Sequence, residues 1–263
     1  MAISAGLDKR RPAGTERPLP LRTFLVVVLL LLVPIAVQAY GQWNEVRHWS
    51  ETRWDSARVA PDPAATKEAA VQVYGARTWG RKGILAVHTW VIVKPENAQA
   101  WTRYDVAGWG VQSGRKAIRR DMRVADGYWA GNPPILLAEL RGDKAAKAID
   151  RIEALVRAYP YDHTYRLWPG PNSNTFTAMV GRAVPALRLD LPPTAIGKDW
   201  LPWTRPFALA PSGTGVQVSI EGAFGVIVAL QEGVEVNFLG LTLGLDFLKP
   251  ALKLPAMGRV GFG

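Results

Sequence analysis

The stretch Trp168-Pro169-Gly170-Pro171-Asn172-Ser173-Asn174-Thr175-Phe176 runs directly into a helical pattern, Thr177 to Val184. Gly170 and Pro171 shape a turn, and the cluster of Asn, Ser and Thr supplies the side-chain acceptors that a helix start needs. Upstream lies a strand-like run, Leu85 to Lys94, with His88 inside it and Pro95 ending it. A hydroxyl at a helix start, preceded in the chain by an imidazole on a strand, is a layout for acyl chemistry. The same residues also read as an ordinary capped helix, which is the stronger of the two readings.

Outward from this stretch, further elements read as follows. Val71 to Ala76 and Trp101 to Trp109 are strands, Arg119 to Trp129 is a candidate fourth, and Ile135 to Leu140 fits strand or helix. Asp143 to Tyr159 is the strongest helix, with Ala145, Ala148, Ile149, Ile152, Leu155 and Val156 on one face and Pro160 stopping it. Asp143, after Gly142, is its expected N-cap. Beyond Pro192-Pro193 and the Pro-rich stretch 202–211, Val216–Ile220, Phe224–Leu230, Val234–Leu239 and Leu241–Phe247 read as short antiparallel strands. That apolar tail is suited to covering a sheet edge, closing on the main domain, or touching a membrane. No internal repeat is present.

The N-terminal part carries a different signal. Phe24 to Val37 is apolar without helical periodicity, and Leu21 to Tyr40 approaches the ~20 residues that cross a bilayer. Lys9, Arg10, Arg11, Arg17 and Arg22 precede it, which keeps the N-terminus cytoplasmic and exports the rest. The long polar lead favours a retained anchor in the inner membrane with a periplasmic main domain. Pro34 and Val37-Gln38-Ala39 keep a cleaved signal peptide and a periplasmic protein as the alternative. Trp43, Trp49 and Trp54 fit either headgroup-level aromatics or packing on the domain. The expected organisation is a basic N-terminus (1–22), a span (23–40), a juxtamembrane linker (41–68), an α+β domain (69–200) and a linker with a β-hairpin tail (201–263).

Composition removes several classes of function. The chain has 263 residues and 48% apolar content, which suits one core-forming domain with attachments rather than a disordered chain. Without cysteine there is no disulfide, thiol nucleophile or thiolate metal site. Three histidines, His48, His88 and His163, show no metal-ligand spacing, so neither metal nor cofactor is expected. The net charge of +10 is spread thinly, with no nucleic-acid motif, and points to solubility or an anionic surface. Nothing sets an oligomeric state.

Asn172, Ser173 and Phe176 resemble the Asn-Cys-x-x-Phe motif of the circularly permuted papain-like superfamily, which includes the lecithin retinol acyltransferase group. The resemblance implies a permuted papain-like α+β fold, with Ser173 in the place of the nucleophilic cysteine. The region from about Tyr74 to Trp200 also resembles a family of bacterial single-span proteins catalogued as a domain of unknown function. Val87-His88-Thr89-Trp90, Trp168 to Phe176 and Pro192 to Asp199 carry that likeness.

The candidate site joins Ser173 as nucleophile, His88 as base and Asp105 as the carboxylate orienting the imidazole, with His163 as a second orienting candidate. The helix start offers N–H groups for an oxyanion or carboxylate. Asn172, Asn174 and Arg166 are the candidate substrate contacts, and Arg77 is a further anion-binding candidate. Two functions are carried forward. One is a membrane-anchored hydrolase or acyltransferase acting on ester or amide bonds of envelope material, lipid or peptidoglycan. The other is a catalytically inactive papain-like binding or structural protein of the cell envelope.

Overall fold

The computed structural model describes residues 21–42 and 48–261. The basic leader up to Pro20 and Trp43 lie outside the described residues. Helix α1 (Leu21–Gln42) is 22 residues long with no acidic residue in its first turn, and its mean hydropathy reaches 2.5. It passes, by length and composition, for a membrane span or a signal sequence.

A five-stranded antiparallel sheet follows: β1 (Ala70–Arg77), β2 (Val87–Lys94), β3 (Thr102–Val106), β4 (Ile118–Arg120) and β5 (Ile135–Arg141), in the order β4-β3-β2-β1-β5. Side chains alternate faces along a strand, and paired residues share a face. The pairs Val71↔Val93, Val73↔Val91 and Val91↔Tyr104 therefore line one face. Helices α2 (Asp143–Arg157) and α3 (Ser173–Ala183) cover it, closing a core that includes Ile149, Ile152, Phe176 and Val180. The pairs Tyr74↔Trp90 and Ile92↔Arg103 line the opposite face, which loops cover with Trp129 and Ala130, and with Trp54 and Trp101 at the margin.

Two local readings change and an open one is decided. The expected strand Arg119 to Trp129 stops at Arg120, because Asp121 and Asp126 turn away to bond backbone N–H groups of Arg103 and of Val59 and Ala60. The N-cap of α2 is Gly142, with Asp143 in the first turn. Ile135 to Leu140 is strand, paired with β1. Trp54 packs edge-on against Trp129 at 5.5 Å and lies under the Arg123 guanidinium, so it belongs to the domain.

The tail is larger than a hairpin. It is a seven-stranded meander: β6 (Phe207–Leu209), β7 (Gly215–Ile220), β8 (Phe224–Ala229), β9 (Gly233–Phe238), β10 (Leu241–Asp246), β11 (Ala251–Leu254) and β12 (Gly258–Gly261), paired in chain order. Its inner face meets the segment 190–199 through polar groups. Glu235 bridges Lys198 at 2.6 Å and Lys253 at 2.8 Å, and Lys253 also reaches Asp190 at 2.6 Å. Asp199 accepts from Asn237 at 2.9 Å and from Ser219 at 3.3 Å. Gly225 is required here, since a Cβ would come within 2.2 Å of the Asp199 carboxylate.

Candidate functional site

Helix α3 begins on Asn172, whose extended backbone lets Oδ1 accept from the N–H groups of Asn174 (2.9 Å) and Thr175 (3.2 Å). Thr175 Oγ1 accepts from the Asn172 N–H in return, at 3.1 Å, which closes a capping box. Asn172 Nδ2 donates to the carbonyls of Leu167 and Ile196, and Asn174 Nδ2 to those of Val87 and Ile196. Thr89 Oγ1 donates to Asn174 Oδ1 at 2.9 Å and lies 3.5 Å from the Ser173 carbonyl. Asn172 thus caps α3 and ties it to the loops at Leu167 and Ile196, while Asn174 ties the start of α3 to β2.

The strand residues that meet the start of α3 are Val87 and Thr89. His88 lies between them and projects from the other face, where it stacks on Trp129 with ring centroids 3.6 Å apart and planes 6° from parallel. The structure therefore does not bring Ser173 and His88 together: a strand's period of two puts them on opposite sides of the sheet. Arg166 is exposed on the loop before the helix, and its backbone N–H donates to the Pro171 carbonyl. His163 is exposed on the same loop, and the carboxylate of Asp105 is the partner of the His88 imidazole. The Arg77 guanidinium is held by the carbonyls of Gly83, Ile84 and Ala256, so it closes a loop.

His88 and Asp105 are joined. Their strands place both on the aromatic face, and His88 Nε2 lies 2.9 Å from Asp105 Oδ1. Arg103 grips the same carboxylate through Nε at 2.7 Å and Nη2 at 2.9 Å, and its guanidinium lies 4.1 Å from the centre of the Trp90 ring. Burial pushes the Asp105 carboxyl up, but the Arg103 charge and the hydrogen bonds from His88 and Arg103 outweigh it and bring the group down to about 2. Burial is the largest effect on His88 and drives its pKa below the ordinary 6.5, against the pull of Asp105. At neutral pH the ring is uncharged and Asp105 is ionised, so Nε2 carries the proton and donates it to Asp105. Nδ1 keeps its lone pair and makes no hydrogen bond among the described residues.

The imidazole borders a cavity of about 510 Å³ whose walls include Trp79, Trp109, Trp129 and Tyr165, with Thr78 and Lys82 as polar members. Thr78 Oγ1 is buried and has no partner among the described residues. Gly108 lets the Tyr165 ring close one wall, because a Cβ there would meet Tyr165 Cδ1 at 2.5 Å. A second cleft of about 660 Å³ shares Gly108, Tyr165 and Leu167 with the first and holds Gln112, His163 and Arg166. No group of three or more histidine or acidic side chains suited to a metal occurs among the described residues.

The sequence reading missed Trp79, Trp109, Trp129 and Thr78. A signal was present: 11 tryptophans in 263 residues is a heavy load. Only the fold gathers these four residues, from three separate loops, around one imidazole.

The family described as Protein of unknown function (DUF3750) matches residues 68–200, half of the chain, and the chain belongs to that family. The matched region contains His88, Asp105, Trp129 and Ser173 and ends before β6. No curated protein and no solved structure matches the chain.

Proposed function

We propose that this chain is a membrane-anchored envelope protein whose aromatic cavity binds an amphipathic component of the envelope, a lipid or a peptidoglycan fragment. The observation that carries the reading is the open Nδ1 of a neutral His88 on the wall of a cavity built from tryptophan rings. Such a site offers flat apolar surfaces for a ring or an acyl chain and one fixed acceptor for a hydroxyl or amide N–H. Lys82 at the surface provides a charge for an anionic group. The apolar N-terminal helix supports anchoring and export. The order of strand β2 before helix α3, with α3 starting on β2, supports a permuted papain-like scaffold. In that scaffold Thr89, not His88, faces the helix start, which favours the binding reading over a Ser–His enzyme.

The free Nδ1 also favours a second reading, hydrolysis by a water that His88 deprotonates while Asp105 steadies the imidazolium. Both are tested by titrating the full-length protein with a monomeric lysophospholipid and, separately, with a disaccharide-peptide fragment of peptidoglycan. Binding of either probe shifts the tryptophan emission of the wild type and not of the Trp109→Ala variant. Mass spectrometry of the same mixtures then separates the readings: intact probe means binding, and cleaved probe lost in His88→Gln means hydrolysis. Silence with both probes, in a protein that is folded, removes the proposal.

A further inference from the structure

The C-terminal sheet is built inside out. Its inner face carries Gln217, Glu235, Asn237, Thr242 and Lys253, all buried. Its outer face is apolar on every strand. One cross-strand row runs Leu209–Val216–Val228–Val234–Leu245–Leu252–Val260 without a polar residue. Most of this row faces solvent, from 62% for Val216 to 42% for Val260. A neighbouring row continues the surface through Ile220, Phe224 and Phe238. Six strand gaps of ~4.8 Å and five residues of ~3.3 Å give roughly 29 by 17 Å, on the order of 500 Å² in plane. Monomers seldom leave such a patch open, and ordinary protein interfaces mix polar groups into it.

What covers it is indicated by α1. The helix packs against residues 80–84 and against β10 and β11. Its less exposed residues, Val28, Leu31, Pro34, Ile35, Gln38, Ala39 and Gln42, fall on one helical stripe. That stripe is about 21 Å long, most of the helix. An apolar helix that touches the sheet brings the sheet to the surface that the helix enters.

We propose that the outer face of the C-terminal sheet is a membrane-docking surface, lying face down in the headgroup–acyl boundary of the bilayer that α1 enters. The proposal rests on the anchored reading of α1. The sheet does not span, because its end strands β6 and β12 leave unpaired backbone groups that hydrocarbon does not tolerate. It dips ~5–10 Å, as interfacial elements do. The residues beyond α1 keep a net charge of +7, which adds attraction to anionic headgroups.

The absence of cysteine permits single labels. Nitroxides are placed at Phe224→Cys and Val228→Cys on the outer face, at Leu29→Cys on α1 and at Lys147→Cys on the exposed side of α2, in the full-length protein. The protein is reconstituted into phosphatidylethanolamine–phosphatidylglycerol vesicles, and collision rates with oxygen and with a water-soluble nickel chelate are compared. The expected result is oxygen preference at both sheet positions and chelate preference at Lys147→Cys. Chelate preference at the sheet overturns the proposal, and spin–spin broadening there overturns it in favour of a second copy of the chain. The label on α1 reports separately on the anchor: a lipid-exposed helix with an aqueous sheet sinks only the docking surface. An aqueous helix with a lipid-exposed sheet sinks only the anchor.

Discussion

Replacing Asp105 by asparagine tests the electrostatic logic of the aromatic face. The carboxylate is fully buried and receives both Arg103 and His88. Its pKa falls from an ordinary 3.8 to about 2, which corresponds to about 2 kcal/mol of folded-state preference for the ionised form. Asparagine also leaves the Arg103 charge, 1% exposed, without a counter-ion. Breaking a buried pair in this way costs roughly 3–5 kcal/mol, and the retained amide oxygen of asparagine places the expected loss near the lower end. Because the folded pKa is depressed, the carboxylate's contribution is complete above 3.8 and is lost as pH falls through 3.8 toward 2. The gap between wild type and Asp105→Asn is therefore about 3 kcal/mol at neutral pH and narrows by about 2 kcal/mol in acid. Urea unfolding of the full-length protein in a mild detergent, followed by tryptophan fluorescence at neutral pH and at successive acid steps, measures both. A neutral-pH gap below about 1 kcal/mol, or a gap that stays constant in acid, refutes the reasoning.

Three further predictions follow from the geometry. His88 has a depressed pKa, so the unfolded chain binds a proton more readily and wild-type stability declines as pH drops below 6.5; His88→Gln removes that slope in the same urea series, and an unchanged slope assigns it to other groups. Asn172→Ala deletes the α3 cap and lowers stability by about 1–2 kcal/mol, whereas Ser173→Ala, on the far side of the sheet from the cavity, leaves probe binding unchanged; loss of binding in Ser173→Ala with normal stability contradicts the separation of the two sites. Glu235→Ala strips the shared partner from Lys198 and Lys253 at the joint with the C-terminal sheet, costs roughly 3–5 kcal/mol, and exposes residues beyond 200 to trypsin; wild-type resistance to cleavage shows that the joint does not depend on this network.

The elements with strong local signals were legible. Helix α2 follows from its apolar stripe between Gly142 and Pro160, and β1 and β2 from short β-branched runs between breakers. The start of α3 follows from the cluster at Asn172, because capping is a local transaction between a side chain and the next two or three N–H groups. The β6, β11 and β12 strands escaped notice because they are three or four residues long and gain their structure from neighbours. The Asp105–His88 pair was reachable from sequence, since the two lie on adjacent strands with an acid and an imidazole as natural partners.

By itself, the sequence determined an apolar N-terminal helix, an α+β domain and an apolar β-rich tail, all encoded in periodicity and turn residues. The tertiary structure alone decided which face each residue took. One position of strand register separates His88 from Thr89, and that single step moves the imidazole from the start of α3 to the tryptophan cavity. The direction of the C-terminal sheet was likewise outside the reach of the pattern. Alternation shows that polar and apolar residues occupy opposite faces, but only the salt-bridged joint through Lys198, Glu235 and Lys253 turns the polar face inward and leaves the apolar one open.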